Sequence, residues 1–219
     1  MMSYTSQAAR QQMVRQQVRC WDVLDPRVLQ VLEDLPREKF VPPAYQQVAY
    51  ADADIPLAHG ELMMTPSVEG RLLQALDIGP QDNILEVGTG SGFLTACLAR
   101  LGGQVISIDL REDFIDTARQ RLQQIQIENC ELQHSDVFTR PDSARYDAIA
   151  VTGSMPVYSG EFDSWLKPGG RMFVIEGRGS LMDALLLRQT DAGGMRREAL
   201  FETYLPALRN APDPQTFRF

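Results

Sequence analysis

The sequence predicts an α/β fold: a doubly wound, mostly parallel seven-stranded sheet ending in an antiparallel hairpin, with N-terminal helices packed on it. Three observations carry that expectation. Apolar runs of strand length alternate with helix-period segments from Asn83 to Ile175; two further runs flank a Gly-rich turn near the end; and the first third of the chain shows helical spacing punctuated by caps and prolines.

Taken in order, Gln7 to Val23 is helical, with Met13, Val14, Gln17, Val18 and Trp21 sharing a face. Asp25-Pro26 offers an N-cap and a first-turn proline to a second helix carrying Val28, Leu29, Leu32 and Leu35. Pro36 to Pro66 has no sustained period and reads as a long loop, a kind of segment that in compact domains tends to be functional. Thr65-Pro66 again reads as cap and first position, opening a helix through Val68, Leu72, Leu73 and Leu76 that ends at Gly79-Pro80.

From there the rhythm changes. Strand-like runs stand at Asn83 to Val87, Gln104 to Ile108, Cys130 to Gln133, Tyr146 to Val151 and Arg171 to Ile175, with helices at Phe93 to Leu101 and Glu112 to Gln124. Repeated βα units specify a parallel sheet with helices on both faces. Asp183 to Thr190 and Met195 to Tyr204, separated by Asp191-Ala192-Gly193-Gly194, supply the hairpin. We expect one domain over 1–219, in which 1–80 forms the helices and a loop region and 81–219 the α/β core.

Composition excludes several function classes. A formal charge of −8 and a pI near 4.8 disfavour nucleic-acid binding, which draws on clustered Lys and Arg. Arg188, Arg196 and Arg197 fall on the hairpin and read as a solvated sheet face. Cys20, Cys97 and Cys130 have neither disulfide nor zinc spacing, so no metal is expected. The Gln-rich N-terminus lacks an apolar targeting stretch, and no run approaches the about 18 apolar residues of a membrane span, so the expected location is cytoplasmic and no membrane partner is expected.

Ile84-Leu85-Glu86-Val87-Gly88-Thr89-Gly90-Ser91-Gly92 runs an apolar strand into a glycine-rich turn that opens a helix. Glycines there tolerate positive φ and let backbone amides approach a ligand closely. Asp109-Leu110 follows at the tip of the next strand, about 20 residues on, where a carboxylate accepts from both hydroxyls of a ribose. A nicotinamide fingerprint wants a third glycine where this chain has Phe93, and Glu86 suits an ammonium group and repels a pyrophosphate. The pattern therefore points to S-adenosylmethionine, held by Glu86, Gly88, Thr89, Gly90, Ser91, Gly92, Asp109 and Leu110. Asp136-Val137 adds a carboxylate for an adenine amino group, or a cap on the following turn. With Leu166-Lys167-Pro168-Gly169-Gly170-Arg171, these motifs resemble the Rossmann-like fold of class I methyltransferases.

A more specific resemblance covers nearly the whole chain. Arg10, Met13-Val14, Gln17, Leu35-Pro36-Arg37-Glu38-Lys39-Phe40-Val41-Pro42, Ala49-Tyr50, Pro56-Leu57, Val87 to Gly92, Tyr146-Asp147-Ala148-Ile149 and Tyr204-Leu205-Pro206 resemble the protein-L-isoaspartate O-methyltransferase family. The resemblance implies transfer of a methyl group to the stray carboxylate of isoaspartyl residues in a peptide or protein acceptor, a repair reaction that proceeds through reclosure to a succinimide.

The chain departs from that family where the acceptor should lie. A loop that in the family reads Gly-Gln-Thr-Ile-Ser, then a residue and Pro, is Gly60-Glu61-Leu62-Met63-Met64-Thr65-Pro66 here, so Met64 takes the serine position. Thr65 is the candidate catalytic hydroxyl and equally the candidate helix cap; His59, Glu61 and Met64 are the candidate acceptor-binding residues, and Glu61 replaces the family's neutral Gln with a like charge near the place where an anionic acceptor should lie. The Gly-Asp-Gly and Pro-Leu-Thr of the family are Ser135-Asp136-Val137 and Pro206-Ala207-Leu208. Three readings stay open: isoaspartyl methyltransferase, methyltransferase for another acceptor, and a non-catalytic S-adenosylmethionine-binding protein. A carboxylate acceptor with pKa near 4 is already ionised, so the absence of an obvious general base fits the first.

Overall fold

A computed structural model describes residues 4–140, 145–158, 160–190 and 194–213. Its α-helices and strands are α1 (Tyr4–Met13), α2 (Pro26–Asp34), β1 (Ile55–Pro56), β2 (Leu62–Met63), α3 (Pro66–Leu76), β3 (Asn83–Val87), α4 (Phe93–Leu101), β4 (Gln104–Asp109), α5 (Glu112–Gln124), β5 (Cys130–His134), β6 (Tyr146–Met155), β7 (Leu166–Arg178), β8 (Leu181–Gln189) and β9 (Met195–Thr203).

Helix α1 runs into a π-turn, Val14–Val18, that sets Met13, Val14 and Val18 into the core. Both expected caps are present. The Asp25 carboxylate accepts from the Arg27 amide at 2.8 Å, and the Thr65 hydroxyl accepts from the Val68 amide at 3.4 Å. The stretch expected as a plain loop is more ordered: it holds 3₁₀ helix at Arg37–Lys39, Pro43–Val48 and Ala58–Gly60, and the two-residue strands β1 and β2 pair antiparallel. Helix α3 stops at Leu76, because Asp77 turns left-handed at φ 44°, ahead of Gly79-Pro80.

The main sheet has the order β5-β4-β3-β6-β7-β8-β9; β3 to β7 are parallel, and β8 and β9 run antiparallel. This is the expected fold class, with β7, β8 and β9 forming an antiparallel meander. Residues 191–193 of the turn expected between the last two strands lie outside the described residues. Strand β7 begins earlier than the sequence suggests. Lys167-Pro168-Gly169-Gly170 is a bulge inside it, where the register jumps from Tyr146 opposite Leu166 to Ala148 opposite Arg171. Arg188 sits opposite Arg196 on one face, and Arg197, on the other, pairs with Glu176; all three are exposed, so the basic cluster is solvated but divided between the two faces of the sheet.

Successive crossovers from β3 through β4 to β5 run in one direction, and their right-handedness places α4 and α5 on one face. There Ile84, Val105, Ala150, Phe173 and Leu186 meet Leu32, Leu72, Leu73 and Phe93 in one core. Leu85, Val87, Ile149, Val151 and Val174 point to the opposite face and meet Tyr158, Phe162 and Trp165. Among the described residues no α-helix joins that second core, so a single 3₁₀ turn (Asp163–Trp165) and irregular chain cover a face where the βα rhythm leads one to expect helices. The N-terminal helical segment is also fastened to the last strand. The Arg71 guanidinium lies 5.0 Å from the Phe201 ring centroid and donates to the Trp21 carbonyl at 3.1 Å.

Candidate active site

Strand order reverses at β3, which has β4 on one side and β6 on the other. In open α/β sheets the crevice outside the carboxyl ends of such strands is where ligands bind. A cleft lies there, lined by the loop after β3, the tip of β4, the turn after β5, Thr152-Gly153 of β6 and residues from the 57–64 region.

Pairing of Glu86 with Ser107 across β3 and β4 brings the Ser107 hydroxyl within 2.6 Å of Glu86 Oε2. Thr95, on the first turns of α4, donates to the same oxygen at 2.5 Å. Glu86 is fully buried, and its other oxygen, Oε1, has no partner. Burial pushes the carboxyl up to about 8, against the pull of the Ser107 and Thr95 hydroxyls. A buried, unsatisfied carboxylate oxygen beside a cleft calls for a donor or a cation.

The glycine loop is shaped by what surrounds it. A Cβ on Gly88 would sit 2.2 Å from Thr152 Oγ1, and its φ of +100° excludes other residues in any case. Thr152 Oγ1 lies 2.9 Å from the Val87 carbonyl and 2.8 Å from that of Gly88, fixing the turn from β6. Gly92 packs against α5, where a Cβ would stand 2.8 Å from that of Ala118. The Asp109 carboxylate accepts from the amides of Gly90 (2.9 Å) and Arg111 (2.8 Å), and burial raises its pKa against those two bonds. Each oxygen keeps a lone pair for a further donor.

Of the residues expected at the cofactor, Glu86, Gly88, Thr89, Gly90, Ser91, Asp109, Leu110, Asp136 and Val137 line the cleft. Thr89 does so through its backbone, since its hydroxyl turns inward to Ser107 at 2.6 Å. Gly92 stands behind the loop as the N-cap of α4. Asp136 caps the following turn, its carboxylate accepting from the Phe138 amide at 2.9 Å, and the same carboxylate accepts from Asn210 Nδ2 at 2.7 Å in a residue that lines the cleft.

The acceptor side divides differently. Glu61 and Met64 line the cleft; His59 and Thr65 do not. His59, left-handed at φ 61°, is exposed, with Nε2 2.9 Å from Asp113 Oδ2 and its ring edge-on to Phe114. The Thr65 hydroxyl is engaged by the Val68 amide and by Ser67 Oγ at 3.0 Å, so of its two expected roles the structure places it in the cap. The two arginines of the N-terminal signature act as braces. Buried Arg37 pairs with Glu69 and donates to the Met64 carbonyl at 2.6 Å, while Arg10 donates to the carbonyl of Asp34 at 2.8 Å. The sequence did not single out Thr152 or Arg209 as site residues. Thr152 could be found from its place at the carboxyl end of a switch-point strand; Arg209 carries no local signal.

The candidate cofactor groups fit one ligand shape: an unpaired buried acid for an ammonium, a strand-tip acid for a ribose, and a further acid for an adenine amino group. No group of acids, histidines or cysteines able to hold a metal occurs among the described residues, and no described helix is long and apolar enough to cross a membrane.

Known proteins agree with this geometry. The family described as Protein-L-isoaspartate(D-aspartate) O-methyltransferase matches residues 8–208. A protein-L-isoaspartate O-methyltransferase of Methanoregula boonei is 33% identical over 198 residues, covering 90% of this chain and 91% of its own. The enzyme of that name from Ruegeria pomeroyi is 36% identical over 173 residues, covering 78% and 80%. Among solved structures, a Plasmodium falciparum chain described as such a methyltransferase in complex with S-adenosyl-L-homocysteine superposes with a TM-score of 0.77 at 18% identity, covering 91% of this chain and 98% of that one. With a full cofactor cleft at the switch point and relatives of this identity along nearly its whole length, the chain belongs to the protein-L-isoaspartate(D-aspartate) O-methyltransferase family.

Proposed function

We propose that this chain transfers a methyl group from S-adenosylmethionine to the free carboxylate of isoaspartyl residues in proteins, as a cytoplasmic repair activity. The observation that carries the reading is the cleft itself: unpaired Glu86 Oε1, Asp109 and Asp136 lie along one crevice, in a chain whose family match runs through it. When bound, the cofactor supplies a methyl group on a positively charged sulfur. The chain's own residues bind and orient. Glu86 Oε1 would take the ammonium, Asp109 the ribose hydroxyls and Asp136 the adenine amino group. Leu57, Leu62, Met63 and Met64 wall the acceptor side with apolar surface, which strips water from an incoming carboxylate. Because that carboxylate is already ionised, alignment and desolvation carry catalysis and no base is needed.

Transfer of labelled methyl to an isoaspartyl peptide, with its aspartyl counterpart as control, tests the proposal. Labelling of the isoaspartyl form alone is the expected result. A second reading, another acceptor, is favoured by Met64 at the position where the family carries serine; binding of S-adenosylmethionine without transfer to either peptide would select it.

A further inference from the structure

Beside the apolar wall, the acceptor side of the cleft carries one opposed pair of charges, Glu61 and Arg209. They stand 148 positions apart in the chain. Glu61 follows the 3₁₀ turn between β1 and β2, and its charge is felt by Asp109. Arg209 sits on a C-terminal strap pinned on both sides: Ser154 exchanges backbone bonds with Pro206 and Leu208 (2.9 and 2.8 Å), and Asn210 reaches Asp136. The root of Arg209 is therefore fixed over the cleft while its side chain stays 57% exposed. Among the described residues its guanidinium has a single polar partner, Glu61 Oε1, 3.5 Å from Nε. That is the outer limit of a hydrogen bond and uses one of five N–H donors. Arg111 is the other cation lining the cleft, and it stands on the cofactor side beside Asp109.

Resting on the function proposed above, we infer that Arg209 recognises the carboxylate of the acceptor and that Glu61 is the stand-in this carboxylate displaces. A guanidinium binds carboxylate best as a two-pronged fork, so an incoming acid that meets it squarely outcompetes a long one-point contact. The same exchange removes the repulsion that Glu61 would otherwise exert on an anionic acceptor. Methyl transfer forms one O–C bond as the S–C bond breaks, the electron pair stays on sulfur, and no proton moves. The acceptor becomes a neutral ester, loses its hold on Arg209, and Glu61 returns. The pair thus selects an anion and releases a neutral product.

Opposite responses of the two partners test this. Arg209→Gln should raise KM for the isoaspartyl peptide about tenfold, the scale of a lost charge-assisted bond. Glu61→Gln should lower KM several-fold, because nothing then competes for the guanidinium. If the pair were only a latch across the cleft, both variants would move KM in the same direction, and that result overturns the inference while leaving the proposed function standing. Calorimetric titration with S-adenosylhomocysteine present supplies a readout independent of turnover. The free acid of the peptide should bind more tightly than its methyl ester, and the gap should close in Arg209→Gln. A gap that persists in the variant refutes the role of Arg209. If the wild type binds the acid with this discrimination but does not methylate it, the function proposed above fails and the recognition stands; if it neither binds nor methylates, both fail.

Discussion

The two halves of the cleft are built to different standards. On the cofactor side, the polar groups are locked from behind: Glu86 by two hydroxyls, Asp109 by two backbone amides, Gly88 by a threonine that leaves no room for a side chain. On the acceptor side, the polar groups are tethered at the surface by exposed pairs, His59 to Asp113 and Glu61 to Arg209, around an apolar wall. Exposed pairs contribute little to stability and rearrange readily. The contrast separates a rigid half, whose polar groups are held in place before any ligand arrives, from an adjustable half, whose surface pairs can rearrange to admit an acceptor.

The largest expected effect probes how deeply the rigid half is set. Glu86 is raised from 4.5 to about 8 by burial, so its contribution to stability is fully present below about 4.5 and is lost as pH rises through about 8. Glu86→Gln escapes that loss. In urea unfolding at pH 9 the variant should exceed the wild type by a few kcal/mol relative to their difference at pH 5; parallel pH profiles would show that the carboxyl is not desolvated. Next, Asp109→Ala should weaken S-adenosylmethionine binding at least about a hundredfold, roughly 2.7 kcal/mol, as read by calorimetry. Affinity at the wild-type level would remove Asp109 from the cofactor site and dissolve the contrast between the halves. Met64→Ser sharpens the comparison from the other side. Returning the family's serine should raise kcat/KM for an isoaspartyl peptide several-fold while lowering stability by about 2–4 kcal/mol for a buried Met truncated to a small side chain. Lower turnover in a folded variant would mean that the methionine is fitted to another acceptor. The smallest effect is at Thr65. Thr65→Val should remove a cap worth about 1 kcal/mol, lowering Tm by about 2–4 °C with kcat unchanged; a fall in kcat at constant Tm would return the hydroxyl to the chemistry.

The same division governs what the sequence discloses. Strands β3, β4 and β6 and helices α4 and α5 can be read directly, because buried parallel strands are short apolar runs and the helices open at Gly92 and Glu112; β5, an edge strand with no buried residue, shows instead through alternation and its place in the βα rhythm. The glycine loop and Asp109 are legible for the same reason: their chemistry depends on fixed offsets within one βα unit. Pro36 to Pro66 is not, since its turns and two-residue strands owe their shape to distant partners. Arg37 reaching Glu69 and the Met64 carbonyl leaves no periodic trace. The second core is hidden likewise, because Tyr158, Phe162 and Trp165 stack in a segment that holds one 3₁₀ turn and no regular period. His59 and Thr65 show the limit of proximity in sequence: they flank the cleft-lining Glu61 to Met64, yet one faces α5 and the other caps α3.

The C-terminal strap also bears on how the protein comes into being. Ser154 acquires its backbone partners only from Pro206 and Leu208, and the ion pair at the mouth of the cleft joins residues 148 positions apart. During synthesis the glycine loop, β4 and β6 leave the ribosome long before the residues that complete the cleft, and contacts so distant in sequence are among the last a chain can form. A nascent chain halted before Pro206 would hold most of the sheet and none of the strap. Catalytic competence would then arrive only once the strap had been translated, so that a copy stopped before Pro206 has no finished site in which to hold cofactor and acceptor together.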